Sequence, residues 1–302
     1  MSGTGGQPIW RSMMFVPVNV ERFVEGAHRR GADAIILDLE DSILPKDKEH
    51  ARTLVAGAAP RVARSGADVL VRLNRPWRLC VRDLEAVAGP AIAAVMLPKT
   101  ESAEHVRMVA EVLDELEAER GLARGHTRIV AMIETAEAFF RAREIAAAHA
   151  RVVALTLGSE DFALSVGMVP EAEGLFHPKQ QIVLAARAAG VMPLGFVGTV
   201  ADYKDLEAFR ATVRRSRRLG FMGSPVIHPS QIPILNEEFR PSAEEVEKAR
   251  RVVAAFEAAA GGSAGAIEVD GKMVDYPVVE RARRTLERHE AIEKRAASAP
   301  GA

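Results

Sequence analysis

Two acidic residues stand at the ends of strand-like runs. Glu134 closes the apolar stretch 127–133 (TRIVAMI), and Asp161 follows shortly after 152–158 (VVALTLG). A β-rich run that stops at a carboxylate delivers it to the C-terminal mouth of a parallel sheet or barrel, where α/β enzymes place their chemistry. Two such ends about one βα unit apart offer Mg²⁺ or Mn²⁺ a pair of hard oxygen ligands and leave positions for water and substrate. The competing reading is structural: each acid caps the helix after it, because a carboxylate stabilises an N-terminal turn.

The elements that must position these groups alternate regularly. Strand-like runs are predicted at 12–17, 34–39, 69–73, 94–98, 129–133, 152–157, 193–197 and 225–228. Amphipathic helical stretches fall between them, at 20–30, 46–63, 103–120, 136–148, 177–189 and 203–219, and a weaker one at 81–88. Eight strand–helix alternations with short connections predict an α/β fold, a (β/α)8 TIM barrel over residues 10–240, with a doubly wound open sheet as the alternative. An extension at 241–295 follows. It comprises a charged helix (241–260) opened by the capping-box pair Ser242 and Glu245, and a Gly-rich turn (261–265). A strand pair (266–269 and 272–274) joined by Asp270-Gly271 and a last helix (278–294) complete this helix–hairpin–helix, expected to pack on the barrel or on a neighbouring subunit.

Composition removes several function classes. The 302 residues carry 40 basic against 41 acidic groups, so nothing points to nucleic acid or an anionic membrane as partner. No apolar run approaches the ~20 residues of a membrane span, and the first residues lack the regions of a signal peptide. Cys80 is the sole cysteine, which rules out an internal disulfide and fits a reducing cytoplasm. It has no argued base partner and is read as a core filler, not a nucleophile. The Arg-rich run 214–218 is read as a solvated helix face.

Taken at their C-terminal ends, the strands present one list. Strand two ends in Asp38, Glu40 and Asp41, strand three in Arg72 and Asn74, strand four at Lys99 and strand five at Glu134. Strand six gives Glu160 and Asp161, strand seven Gly195 and Gly198, and strand eight His228. Charged groups recurring at one pole of a barrel weigh against simple capping. Carboxylates for a metal, with Arg72 and Lys99 as fixed cations, suit a substrate bearing carboxylates and a carbonyl on which enolate charge develops. His228 is either a ligand or acid, or a hydrogen-bonded structural histidine.

Seven segments carry a resemblance: 11–17 (RSMMFVP), 38–42 (DLEDS), 71–74 (VRLN), 96–99 (MLPK), 133–136 (IETA), 157–162 (LGSEDF) and 226–231 (VIHPSQ). In that order they resemble the citrate lyase β-subunit-like CoA-ester lyases of the HpcH/HpaI aldolase superfamily, a group that includes malyl-CoA and citramalyl-CoA lyases. The resemblance spans roughly residues 10–290. It implies a (β/α)8 barrel associating into homotrimers or hexamers, with a CoA thioester and a 2-oxo acid as small-molecule partners. It implies Glu134 and Asp161 as Mg²⁺ ligands and Arg72 as the group that polarises the carbonyl or enolate oxygen. Asp38, Glu40 and Asp41 then support the metal's waters or pair with basic groups at the mouth, and Lys99, His228 and Arg11 stand on the substrate side or in support. The expected reaction is a retro-Claisen cleavage of a 3-hydroxyacyl-CoA to an acyl-CoA and a 2-oxo acid. A citrate lyase β subunit, a thioesterase on the same thioesters and a non-catalytic acyl-CoA binder are the alternatives.

The segment 271–277 (GKMVDYP) also matches. On its own Asp275 reads as a turn aspartate; the resemblance makes it the general acid/base, delivered to an adjacent subunit's site. Two places depart from the pattern: Pro17-Val18-Asn19 replaces Pro-Gly-Asn, and Gly195–Gly198 (GFVG) stands where many relatives are acidic.

Overall fold

The computed structural model describes residues 7–198, 205–259 and 266–298. The chain divides into two compact units, Met1–Phe239 and Arg240–Ala302.

In the first unit eight strands run in order: β1 (Ser12–Pro17), β2 (Ala34–Asp38), β3 (Asp68–Arg72), β4 (Ala94–Leu97), β5 (Arg128–Ile133), β6 (Val152–Leu157), β7 (Met192–Leu194) and β8 (Ser224–Val226). Every lateral pairing is parallel, each strand lies beside the next, and β1 turns back to pair with β8. The ring closes through a parallel bridge between Leu194 and Gly223, where the Gly195 N–H donates to the Gly223 carbonyl at 2.8 Å. That closure decides for the barrel over the open sheet. Only glycine fits at 223, because a Cβ there would lie 1.7 Å from the Trp10 carbonyl oxygen.

The helices are α1 (Glu21–Ala27), α2 (Lys48–Val62), α3 (Trp77–Val87), α4 (Ala103–Glu119), α5 (Ala136–Phe140), α6 (Ala142–Ala146), α7 (Ser159–Val166), α8 (Ala172–Ala188), α9 (Leu206–Arg218) and α10 (Ile232–Glu238). The single helix predicted at 136–148 is two short ones, broken at Arg141. The helix predicted from 177 begins at Ala172, and Pro178 lies inside it. The short helices α7 and α10 were not predicted, and residues 203–204 of the helix predicted from 203 lie outside the described residues.

Strand side chains alternate between two apolar clusters. Met13, Ala34, Ile36, Leu70, Ala94, Met96, Val130, Met132, Ala154, Met192 and Leu194 fill the barrel interior. Their neighbours Ile35, Leu37, Val69, Val71, Val95, Leu97, Ile129, Ala131 and Ile133 pack outward under the helices. Each fully buried Val, Leu, Ile or Met among them contributes roughly 1.5–3 kcal/mol of transfer free energy.

The second unit has α11 (Ala243–Ala259), the hairpin β9 (Ala266–Val269) and β10 (Lys272–Asp275), and α12 (Tyr276–Ala297). The capping box is made: the Ser242 N–H donates to Glu245 Oε2 at 2.7 Å, and the Glu245 N–H to Ser242 Oγ at 3.1 Å. Asp270 (φ 52°) and Gly271 (φ 71°) form the tight turn, both left-handed as a two-residue hairpin demands. The Gly-rich turn at 261–265 lies outside the described residues. Val252, Val274, Val279 and Ala282 form a small core of the unit's own.

Candidate active site

Extending the inward set by one more step of two residues reaches the polar groups. After Ala34 and Ile36 comes Asp38; after Leu70, Arg72; after Val130 and Met132, Glu134; after Ala154, Thr156 and then Gly158. The barrel's alternation therefore aims Asp38, Arg72 and Glu134 into its C-terminal mouth. A cavity of about 770 Å³ opens there, lined among others by Asp38, Asp41, Arg72, Glu134, Asp161 and His228.

Asp38 is 1% exposed and grips Arg72 with both oxygens, accepting from Nε at Oδ1 (2.7 Å) and from Nη2 at Oδ2 (2.7 Å). It also accepts from the Glu40 N–H at 2.9 Å and the Ser42 hydroxyl at 2.5 Å. Burial works against its charge, but Arg72 and these donors hold the carboxyl below its ordinary value. The guanidinium stacks 4.8 Å from the Phe15 ring centroid, and its Nη1 reaches Glu40 Oε2 and Asp41 Oδ2 at 3.2 Å each. Such a clamp fixes the plane and direction of a cation that titrates nowhere near neutrality.

Lys99 has a left-handed backbone (φ 46°), which a non-glycine residue adopts at a cost. In that conformation its N–H donates to Glu134 Oε2 at 2.5 Å, while the ammonium donates to Glu40 Oε1 at 2.8 Å and pairs with Asp161 Oδ2 at 3.1 Å. The Arg75 Nε–H donates to the Lys99 carbonyl at 3.1 Å and braces the turn.

Glu134 is 3% exposed, and burial pushes its pKa up to about 7 against the pull of the Lys99 N–H, with Glu40 and Asp161 adding to the rise. Glu40 is raised by burial too, and its Oε2 makes no hydrogen bond. Gly158 is what admits Glu134: a Cβ at 158 would stand 2.4 Å from Glu134 Oε1. Among the described residues no group of three or more His, Cys, Asp or Glu forms a metal cage. An open pair of carboxylates at the cavity wall, one of them buried without a charged side chain bonded to it, instead fits a hard divalent cation that keeps its own waters.

Ion pairs thus bring Asp38, Glu40, Asp41, Arg72, Lys99 and Asp161 together at this pole, and the Lys99 N–H ties Glu134 to them. His228 lines the same cavity, and its Nδ1 lies 2.7 Å from Ser230 Oγ and accepts from the Ser230 N–H, which caps a turn. Arg11 does not join them. It opens β1 at the opposite pole, donating through Nε and Nη2 to Asp33 at 2.8 Å each, because an arginine preceding a strand faces the barrel's N-terminal end. Asp275 belongs to the second unit, where its carboxylate caps α12 by accepting from the Val278 N–H at 3.3 Å. Cys80 is fully buried with its thiol pushed up to about 12 by burial, in keeping with a filler. Sequence reasoning missed Ser42, Gly158 and the buried Lys179; the first two lie inside motifs already singled out, while Lys179 gives no local signal in mid-helix.

Comparison with known proteins identifies the family. Residues 11–229 match the family model described as HpcH/HpaI aldolase/citrate lyase. The citrate lyase subunit beta of Escherichia coli is 36% identical over 285 residues, 93% of each chain. A (3S)-malyl-CoA thioesterase of Cereibacter sphaeroides is 35% identical over 288 residues, 94% of this chain and 95% of that one. Among solved structures, protein CitE of Mycobacterium tuberculosis in complex with magnesium, acetoacetate and coenzyme A superposes with a TM-score of 0.73 at 32% identity, covering 95% of this chain and 99% of that one. The chain belongs to the HpcH/HpaI aldolase/citrate lyase family.

Proposed function

We propose that the protein is a cytoplasmic, Mg²⁺-dependent carbon–carbon lyase. Its substrate would be a 3-hydroxyacyl-CoA thioester of the malyl-CoA or citramalyl-CoA kind, cleaved to an acyl-CoA and a 2-oxo acid. The observation that carries this is the Arg72 guanidinium, locked onto Asp38 in the cavity that Glu134 and Asp161 also line. The relatives support it. One is named for citrate lyase, one for a malyl-CoA thioester, and a solved neighbour holds magnesium, an oxo acid and coenzyme A together.

In the retro-Claisen step the 3-hydroxyl gives its proton to solvent water, the O–H electron pair forms the new carbonyl, the C2–C3 bond breaks, and that bond's electron pair passes into the thioester as an enolate. Glu134 and Asp161 would hold the cation, and a Mg²⁺ bound there would supply Lewis-acid charge for the 2-oxo acid. Arg72 presents a fixed N–H donor and positive charge to the enolate oxygen, an interaction that strengthens as charge develops. Asp275 then gives a proton to the acyl carbon, reaching the site from an adjacent subunit of a trimer or hexamer.

A thioesterase reading is favoured by the malyl-CoA thioesterase relative, at nearly the identity of the citrate lyase subunit. A citryl thioester differs from the malyl and citramalyl ones in the carboxymethyl group of its 2-oxo acid. Incubation with Mg²⁺ and malyl-, citramalyl- or citryl-CoA, assaying 2-oxo acid, shortened acyl-CoA and free CoA separately, tests all three. Oxo acid with acyl-CoA marks a lyase, free CoA without oxo acid marks a thioesterase, and no turnover on any of them removes the proposal.

A further inference from the structure

Lys179 lies in the middle of α8, is 5% exposed, and forms part of the cavity wall. Its ammonium donates to the Phe196 carbonyl at 2.6 Å and to the Gly198 carbonyl, both in the segment that follows β7, and sits 5.2 Å from the Phe196 ring centroid. No carboxylate among the described residues pairs with it. Burial draws its pKa down to about 7, opposed only by the more distant charge of Glu160. The contrast with Arg72 and Lys99 is plain, since each of those cations pairs with two or more carboxylates.

A buried charge without a counter-charge is costly. Holding two backbone carbonyls does not require it, because a neutral amide donates as well. An ammonium has three protons and two are given to carbonyls, which leaves the third for an occupant of the cavity. Gly195 and Thr156 line the same cavity, and the Thr156 hydroxyl oxygen is 4.0 Å from where a Cβ of Gly195 would be. Lys179 is thus on the β6–β7 side of the mouth, on the far side of β5 and Glu134 from Arg72 on β3. An anionic arm extending past the carboxylate pair towards β7 would meet it.

We infer that Lys179 is a specificity-determining residue that takes the second carboxylate of a dicarboxylic 2-oxo acid, the oxaloacetate class, and so separates this substrate from monocarboxylic 2-oxo acids. The inference rests on the proposed binding of a 2-oxo acid at Glu134 and Asp161. It replaces the malyl- or citramalyl-type substrate proposed above by the citryl-type thioester, the citrate lyase alternative.

The test is binding, without turnover. The intact protein, loaded with Mg²⁺, is titrated calorimetrically with oxaloacetate and with pyruvate, as wild type, Lys179→Gln and Lys179→Met. Gln keeps a donor for the carbonyls and removes the charge, so it preserves the wall even if Met does not fold. Wild type should bind oxaloacetate on the order of tenfold or more tighter than pyruvate, the scale of one charge-assisted hydrogen bond. In Lys179→Gln that ratio should fall to about one, with pyruvate affinity changed by less than about twofold. A wild-type ratio near one, or a ratio that survives Lys179→Gln, overturns the inference and leaves Lys179 as a brace for the Phe196 and Gly198 carbonyls. Selective oxaloacetate binding without thioester cleavage would sink the lyase reading and leave this assignment standing; cleavage without Lys179-dependent selectivity would do the reverse.

Discussion

Glu134→Gln should stabilise the metal-free protein at pH 8. The glutamate is 3% exposed and its carboxyl is raised from an ordinary 4.5 to about 7, first by burial. A carboxyl that holds its proton more tightly in the folded than in the unfolded chain contributes stability that is fully present below pH 4.5 and lost as pH rises through about 7. That rise in proton affinity, at ~1.4 kcal/mol per tenfold, corresponds to about 3 kcal/mol at pH 8. Glutamine has the same shape, keeps an oxygen for the Lys99 N–H and carries no charge. For a unit of this size about 3 kcal/mol is roughly 6–12 °C in Tm. Denaturant melts in EDTA from pH 5 to pH 9 should show wild type losing stability between pH 5 and 8 while the variant stays flat over that window. Added Mg²⁺ should restore the wild type at pH 8 and do little for the variant. A variant less stable than wild type at pH 8, or two parallel pH profiles, would show that Lys99 already satisfies the carboxylate and that no cation is needed there.

Other expectations follow from single contacts. Arg72→Lys cannot fork onto both Asp38 oxygens, so kcat/KM for the thioester should fall about 10²–10³-fold while calorimetric Mg²⁺ affinity is unchanged; parallel loss of both would make Arg72 part of the metal site. Gly158→Ala should displace Glu134, since the added methyl would lie 2.4 Å from its Oε1, and weaken Mg²⁺ binding about 10–100-fold by calorimetry. Asp275→Asn keeps a competent helix cap and should fold normally, yet lose about 10²–10⁴ in kcat. Mixed with Arg72→Ala subunits after verified exchange it should recover part of the activity, and no recovery counts against delivery between subunits.

Much of the barrel was legible because period-two alternation and breaker residues leave a local trace. The boundaries of β1 and β6 are those expected from sequence, and the inward step Ala34, Ile36, Asp38 is visible in the letters alone. What local pattern cannot carry is contact between distant segments. Barrel closure depends on Gly223 meeting the Trp10 carbonyl, and the entry of Glu134 on Gly158 across the β5–β6 pair. Arg11 was misplaced because a motif gives order along the chain but not which pole of the strand each residue occupies. Lys179 stayed hidden because a lysine in an amphipathic helix normally faces water, and only the path of the segment after β7 turns it inward.

The two poles of the barrel divide stability from function. At the N-terminal end charges are matched: Arg11 with Asp33, the Trp10 indole N–H with Asp68, and Arg151 with Glu117 beneath the helices. At the C-terminal end the same fold retains a left-handed Lys99, a buried Glu134 whose carboxyl is raised to about 7, and a buried Lys179 that no carboxylate among the described residues pairs with. Unmatched groups of both signs in one cavity are a poor way to stabilise a barrel, since apolar side chains would fill that space at lower cost. They are complementary to something that brings charges of both signs, a divalent cation for the Glu134–Asp161 side and an anionic acid for the Lys179 side. Replacing Lys179 and Glu134 together by glutamine should therefore leave a protein more stable without ligands than wild type and unable to bind either.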